Sequence, residues 1–528
     1  MGTMWYGGKI YTMRLQEETV EAVFTENGKI IDVGEESFLK DKYKERIDTY
    51  KNLNKGVMYP GFVDSHLHII GHGEKLLNLD LSKITSSKDL IISLQERARD
   101  LEEGEWLIGE GWNENQWENP RILHRDELDA IFPDNPVLLN RVCRHAAIVN
   151  SKALEIADIE DSTKDPQGGK IVKDRKGKPT GYLLDQAQEL VKKKVPYMTQ
   201  KKLESIINTA IKDLLRLGLV GGHSEDLFYY GGFAKTLHAY QAVVPVNFKF
   251  RAHLLVHHAV MEEVKEAGLT YGDGGAFTQL GAMKIFSDGA LGGRTAWLKE
   301  PYADDPSNYG LPIHHKDQLE GLIKKARKNN MPVAVHAIGD QAIEMIADLL
   351  LKYPLSNNRR DRIIHAQIMN KTLLRKLKQL NAVLDIQPSF VASDFPWVIE
   401  RLGKSRVKQS YPWKTYLDEG IPIAAGSDAP IEEVNPLLGI EAAVLRKSNL
   451  DSEIYNEEQQ LSVYEAIHLY TTGSAYVINH EYDRGQISPG FVADFTILDQ
   501  DLFEVEKNKI HEASVLMTVV DEEIMYQK

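Results

Sequence analysis

The sequence predicts an α/β fold: a (β/α)8 TIM barrel, with a small β-sandwich formed by both termini and an α/β insertion after the first barrel strand. Three observations lead there. The middle of the chain alternates short apolar runs with helical segments, the pattern of βα units. Eight such runs can be counted, each ending in polar residues, which is the strand count of a TIM barrel with its site at the C-terminal strand ends. The two ends of the chain are β-rich without intervening long helical patterns.

Taken in order, "MWYGGKIYTM", "TVEAVFTENGKIIDVG" and "GVMYP" alternate or favour strands, and Asn27-Gly28 is a hairpin turn signal. The barrel runs follow as "GFVDSHLH" (61–68), "LVGGHSED" (219–226), "FKFRAHLL" (248–255), "AMKIFSDG" (282–289), "VAVHAIGD" (333–340), "IIHAQ" (363–367), "VLDIQPS" (383–389) and "IAAGSD" (423–428). Helical patterns at 201–218, 316–330 and 341–353 separate several of them. About 150 residues lie between the first two runs, far beyond an ordinary connection. They contain a helical stretch, "SSKDLIISLQERARDLEEG", strand-like "EWLIGEGW" and "NPVLLNRV", and a hairpin-like "DPQGGKIVKDRKGKPTGYLL". This segment reads as an inserted subdomain, expected to wall or cover the site. "RGQISPGFVADFTILD" and "ASVLMTVVDEEIMYQ" then return to the terminal sandwich. The domains are therefore 1–59 (sandwich), 60–479 (barrel, with the insertion at about 73–197) and 480–528 (sandwich). A doubly wound open sheet would need an early G-x-G-x-x-G turn, and "GALGG" at 289–293 lacks that spacing.

Composition narrows the function classes. Of 528 residues, 42% are hydrophobic and 27% charged, as in soluble globular proteins. A net charge of -14 argues against a nucleic-acid binder, whose footprint is basic. The single cysteine, Cys143, excludes an intrachain disulfide and fits a reducing cytoplasm. The N-terminus lacks a signal-peptide core, and no apolar run of about 18 residues suggests a membrane span. The expectation is a cytoplasmic protein with a small-molecule substrate, no nucleic-acid or membrane partner, and a homodimer as the default assembly.

The polar strand ends carry the chemistry. On a strand, positions i and i+2 share a face, so His66 and His68 project together. Lys284, His336, His365 and Asp428 end the fourth, fifth, sixth and eighth runs. Each alone is as easily a core or surface residue. Six of them aimed at one barrel mouth would be costly to bury without a purpose. Four histidines and a carboxylate suit Zn²⁺, with Mn²⁺, Fe²⁺ and Co²⁺ as alternatives. Five ligands are too many for one open catalytic zinc, and two metals about 3.5–4 Å apart fit better. Two cations need a bridging anion, which Lys284 supplies only as its carbamate.

The same segments resemble the amidohydrolase superfamily, and more closely its family 3 branch that includes N-substituted formamide deformylase. "PGFVDSHLH", "MKIFSDGALGGRTA", "VAVHAIGDQAI", "IIHAQ", "AAGSDAP", "SVYEAIHLYTTGSAY" and "GQISPGFVADFTILD" carry the likeness across nearly the whole chain. The resemblance implies that His66, His68 and Asp428 hold one metal, that His336 and His365 hold the other, and that carboxylated Lys284 bridges them. It implies metal-assisted hydrolysis of an amide- or formamide-type C–N bond, with Asp428 as general base. Trp112, Asn113, Trp117, Arg141, Arg144, His145, His223 and Arg294 are candidate substrate contacts, each weighed against a packing role. Phe390, Phe395 and Trp397 are candidates for an apolar wall. The rival enzyme is a deaminase, disfavoured because no Glu follows His336 at the expected spacing; a lactonase- or prolidase-like hydrolase also fits. A non-catalytic scaffold is the rival from another class, disfavoured because every candidate ligand is present.

Overall fold

Apolar, strand-forming runs capped by polar residues build a parallel sheet of eight strands in this protein. In the computed structural model the described residues are the whole chain apart from Met1, Asp100, Asn115, Gln116, Glu118, residues 142–145, Gln167, Tyr197 and Asn357. The eight strands are β1 (Phe62–Leu67), β2 (Leu219–Ser224), β3 (Arg251–His257), β4 (Thr278–Phe286), β5 (Val333–Ala337), β6 (Asp361–His365), β7 (Ala382–Ile386) and β8 (Ile423–Ala425). They are hydrogen-bonded in chain order, every pair parallel. The third strand lies three residues later in its N-terminal bound than the 248–255 run. Lys249 instead reaches the terminal sheet, where its ammonium meets Asp521 at 2.7 Å and Glu523 at 2.7 Å.

The barrel closes where the chemistry-bearing residues begin. The N–H of Asp428 donates to the His66 carbonyl at 2.7 Å, and the N–H of His68 to the Ala429 carbonyl at 2.8 Å. The buried Asp64 carboxylate accepts the His66 N–H at 3.0 Å, the Ser427 N–H at 3.0 Å and the Ser427 hydroxyl at 2.6 Å. A Cβ on Gly426 would stand 2.4 Å from the His66 nitrogen, so only glycine lets β8 approach β1 here. Asp64→Asn would turn one of these acceptor oxygens into a donor facing donors. A loss of about 1–3 kcal/mol is expected in urea unfolding, the cost of leaving buried polar groups unpaired.

Amphipathic helices cover the sheet. In the helix Gln200–Arg216, Leu203, Ile206, Ile207, Ala210, Ile211, Leu214 and Leu215 are buried, the i, i+3, i+4 spacing of one helical face. The barrel interior is partly polar. Below the site, Arg362 donates to the Ser65 carbonyl at 3.1 Å and pairs with Asp385 at 3.3 Å, and both side chains are almost fully buried.

Strands from both termini form one continuous sheet of eight strands. The first strand, Gly2–Tyr11, changes partners at Gly7–Gly8: residues 2–6 pair with Ile47–Asn52, and residues 9–10 pair with Val57–Pro60. Gly7 has φ +78°, a conformation that glycine adopts without strain. Val57–Pro60 pairs antiparallel with Phe495–Leu498, which brings the C-terminal strands into the N-terminal sheet. Separate apolar clusters, around Trp5 and Phe495 and around Phe24 and Tyr43, pack on it.

Residues 73–199 form a compact unit of their own. It holds a sheet of six strands and helices that include Ser87–Ala98, capped by the Ser86 side chain. Its core gathers around Trp112, Leu128 and Ile148 and around Leu154 and Leu183. Among the described residues no helix is long and apolar enough to cross a membrane.

Candidate metal centre

The six strand-end residues line one cavity of about 430 Å³. On one side, Nε2 of His66 and Nε2 of His68 each lie 3.4 Å from Oδ1 of Asp428. These three donors are mutually within 4.8 Å. A separation of 3.4 Å is long for a hydrogen bond. It matches the edge of a ligand tetrahedron, about 3.3–3.4 Å for bonds of about 2.0–2.1 Å. On the other side, Nδ1 of His336 lies 3.0 Å from Nε2 of His365. Lys284 lies beside the first group, its Nζ 3.4 Å from His66 Nε2 and 4.5 Å from the centre of the Phe286 ring.

The outer nitrogens set the tautomers. His336 Nε2 meets the Gly289 carbonyl at 3.2 Å, and His68 Nδ1 meets the Glu225 carbonyl at 2.7 Å. His365 Nδ1 meets Oε1 of Gln387 at 2.7 Å, and the Gln387 amide N–H is committed to the Asp385 carbonyl at 3.1 Å. These oxygens only accept, so the ring nitrogens facing them must donate. In the neutral rings the inner nitrogens are then bare lone pairs. His336 Nδ1 and His365 Nε2 point lone pair at lone pair, and His68 Nε2 points its own at a carboxylate. A cation between each set removes that repulsion, so the donor set fits divalent metals, and the outer partners are those that orient metal-binding imidazoles.

Electrostatics agree with this arrangement at three of the four imidazoles. Burial holds His336, His66 and His365 below the usual histidine range, His365 at about 4, and neutral imidazole is the ligating form. Burial also lowers His68, but the hydrogen bond to Asp428 overrides it and raises the ring to about 9. Burial raises Asp428, yet His68, His365 and Lys284 together hold it below the usual carboxylate range. Burial lowers Lys284, opposed by Glu225 and Asp428. His365 and Asp428 have φ values of 74° and 57°, and such left-handed non-glycine residues cluster at functional sites.

The other candidates are placed differently. Trp112 is fully buried in the core of the 73–199 unit, its N–H donated to the Leu139 carbonyl at 2.9 Å. The substrate role is corrected there to packing, because a ring sealed on all sides cannot touch a ligand. Trp117 likewise donates to the Ile84 carbonyl at 2.9 Å. Asn113 accepts from Arg141 at 3.3 Å, and Arg141 pairs with Glu114 at 2.8 Å. His145, with Cys143 and Arg144, lies outside the described residues. His223 is buried away from the cavity, its ring 5.1 Å from that of His253. Arg294 is corrected from a substrate anchor to a loop brace, bound to Asp304 at 2.8 Å. Phe390 and Trp397 line the cavity, whereas Phe395 stacks on Tyr455 at 4.4 Å, outside it.

Several residues that build the site carry no obvious sequence signal. Gln387 and Glu225 orient ligands. Asp288 accepts the N–H groups of Trp297, Ile338 and Gly339 at 2.8, 3.0 and 2.9 Å and so ties the loop after β4 to the end of β5. Polar residues closing "SDG" and "IQPS" were the available hint.

Comparison with known proteins places the chain in a family. The model for the amidohydrolase family matches residues 51–526. The chain belongs to that family. A putative amidohydrolase, YtcJ, from Bacillus subtilis is 50% identical over all of both chains. An N-substituted formamide deformylase from Arthrobacter pascens is 23% identical over 99% of this chain and 98% of its own. An uncharacterized metal-dependent hydrolase from Pyrococcus horikoshii OT3 superposes with a TM-score of 0.80 at 29% identity, covering 96% of this chain and 99% of that one.

Proposed function

We propose that this amidohydrolase cleaves an amide- or formamide-type C–N bond of a small molecule, using two divalent metals, Zn²⁺ first among the choices. His66, His68 and Asp428 would hold one, and His336 and His365 the other. The observation that carries this reading is the inner face of the cluster, where His336 and His365 turn bare ring nitrogens on one another and His66 and His68 converge on the Asp428 carboxylate. The likeness to a formamide deformylase supports the choice of bond.

When bound, the cations supply Lewis acidity, polarising a carbonyl and making water acidic near neutral pH. The chain's residues do the rest. Asp428 engages the histidines through Oδ1, which leaves Oδ2 to take the proton of the attacking water and return it to the leaving nitrogen. The apolar walls, among them Phe286, Leu291 and Phe390, limit water around the reacting carbonyl. As its carbamate, Lys284 would supply the bridging anion. Burial favours its neutral amine, which adds CO₂ through nitrogen and releases one proton to give the carbamate anion.

Elemental analysis on protein purified without chelator should find about two metals per chain. Lys284→Arg, a permanent cation that cannot take up CO₂, should hold one or none. Reconstitution of metal-free protein with Zn²⁺ should be faster with bicarbonate than without. One metal in the unaltered protein, indifferent to bicarbonate, would remove the bridged binuclear centre.

A further inference from the structure

The cavity beyond the metal ligands has one sign of charge. Apart from the six strand-end residues, Asp394 and Glu432 are the only charged side chains lining it among the described residues, with no arginine and no second lysine. Its other walls are mainly apolar and aromatic, including Phe390, Trp397 and Ile431. Arg294, the candidate for receiving an anion, is occupied by Asp304.

The positions are fixed by one short helix, Ser389–Asp394. Phe390 and Asp394 are four residues apart, so they share a helix face with about 5–6 Å between their Cβ atoms. The Phe390 ring centre is 6.0 Å from that of His365. The Asp394 carboxylate therefore lies on the order of 10 Å from the metal ligands. The Tyr411 hydroxyl donates to one of its oxygens. Ser393, its neighbour on the helix, donates to Glu432. A second observation points to a ligand: Gln367, only 4% exposed, lines the cavity between these ends, and its side-chain amide makes no hydrogen bond among the described residues. The amide atoms are open to the cavity rather than sealed from it, so they are free to bond a polar group that enters.

We propose that the cavity selects amides bearing a protonated amine, with the amide at the metals, the ammonium at Asp394 and an apolar linker between Phe390 and Trp397. The inference rests on the hydrolase reading for the amide end only. The ring faces of Phe390 and Trp397 favour a cation, and burial lifts the Asp394 carboxyl to about 7, the Tyr411 hydrogen bond opposing and Glu432 adding to the rise. A cation restores part of what burial takes from that carboxylate.

The test compares, on Zn²⁺-loaded full-length protein, the mono-formamide of a short α,ω-diamine with the formamide of a methyl-ended amine of equal length. The ammonium-ended compound should have a kcat/KM about tenfold higher or more, the scale of one charge-assisted hydrogen bond. In Asp394→Asn, which keeps the size of the side chain, that ratio should fall towards one. Equal rates in the unaltered protein, or a preference for the methyl-ended compound, would overturn the proposal. If neither formamide is cleaved, the bond assignment fails, and calorimetric binding of the same two compounds decides the cation question. Tighter binding of the ammonium-ended one, lost in Asp394→Asn, sustains the inference; equal binding ends it.

Discussion

Asp428→Asn should lower kcat by about 10²–10⁴-fold, the range assigned to a positioned acid–base group, while KM changes much less. The reasoning starts at the backbone. Asp428 has φ 57° and its N–H is held by the His66 carbonyl, so the side chain is aimed by main-chain geometry that asparagine tolerates equally well. The amide oxygen keeps a neutral ligand near His66 and His68. What is lost is a group able to accept and release a proton. Steady-state kinetics with metal content measured in parallel checks this. A kcat loss with metal retained identifies the proton-transfer role, whereas loss of activity only in proportion to loss of metal would reduce Asp428 to a ligand.

Much of the site was legible because its residues break a pattern. His66, His68, His336 and His365 stand at the ends of β-branched or apolar runs, where a barrel gathers them whatever the loops do. The eight barrel strands were readable for the same reason, down to offsets of up to four residues, the largest at the start of β4; at β3 the shift reflects Lys249, which is drawn to the terminal sheet. Three kinds of feature were hidden. Partners that act through backbone carbonyls, such as Gly289 and Glu225 on the outer imidazole nitrogens, leave no mark in residue type. Aromatic residues look alike whether they line a cavity or fill a core, so Trp112 and Trp397 could be separated only by their surroundings. Arg294 carried the charge expected of an anion anchor, but Asp304 ten residues on in the same loop claims it.

A buried ion pair, hidden in the same way, yields the second large effect. Arg362 and Asp385 sit inside apolar strands, "RIIH" and "VLDI", and read as lone exceptions. In the barrel they meet. Arg362 is 1% and Asp385 0% exposed at the side chain, and the Ser65 hydroxyl donates to the same carboxylate. Burial pushes Asp385 up to about 6, with Arg362 and Ser65 opposing, and it pulls Arg362 down, with Asp385 opposing. The desolvation of this pair is thus only partly offset by its own attraction, as is usual for buried ion pairs. Asp385→Ala would leave a guanidinium buried without its counter-ion, and a loss of about 3–5 kcal/mol is expected in denaturant unfolding. The pair-removing variant, Arg362→Met with Asp385→Leu, should recover most of that stability, because two apolar side chains carry no desolvation penalty. Function should not recover with it. Arg362 holds the Ser65 carbonyl, one residue before His66, and the double variant lacks that contact. A stable double variant with weakened metal retention would show that the ion pair is kept to position the strand that carries His66. Full metal retention would make it a stability element alone.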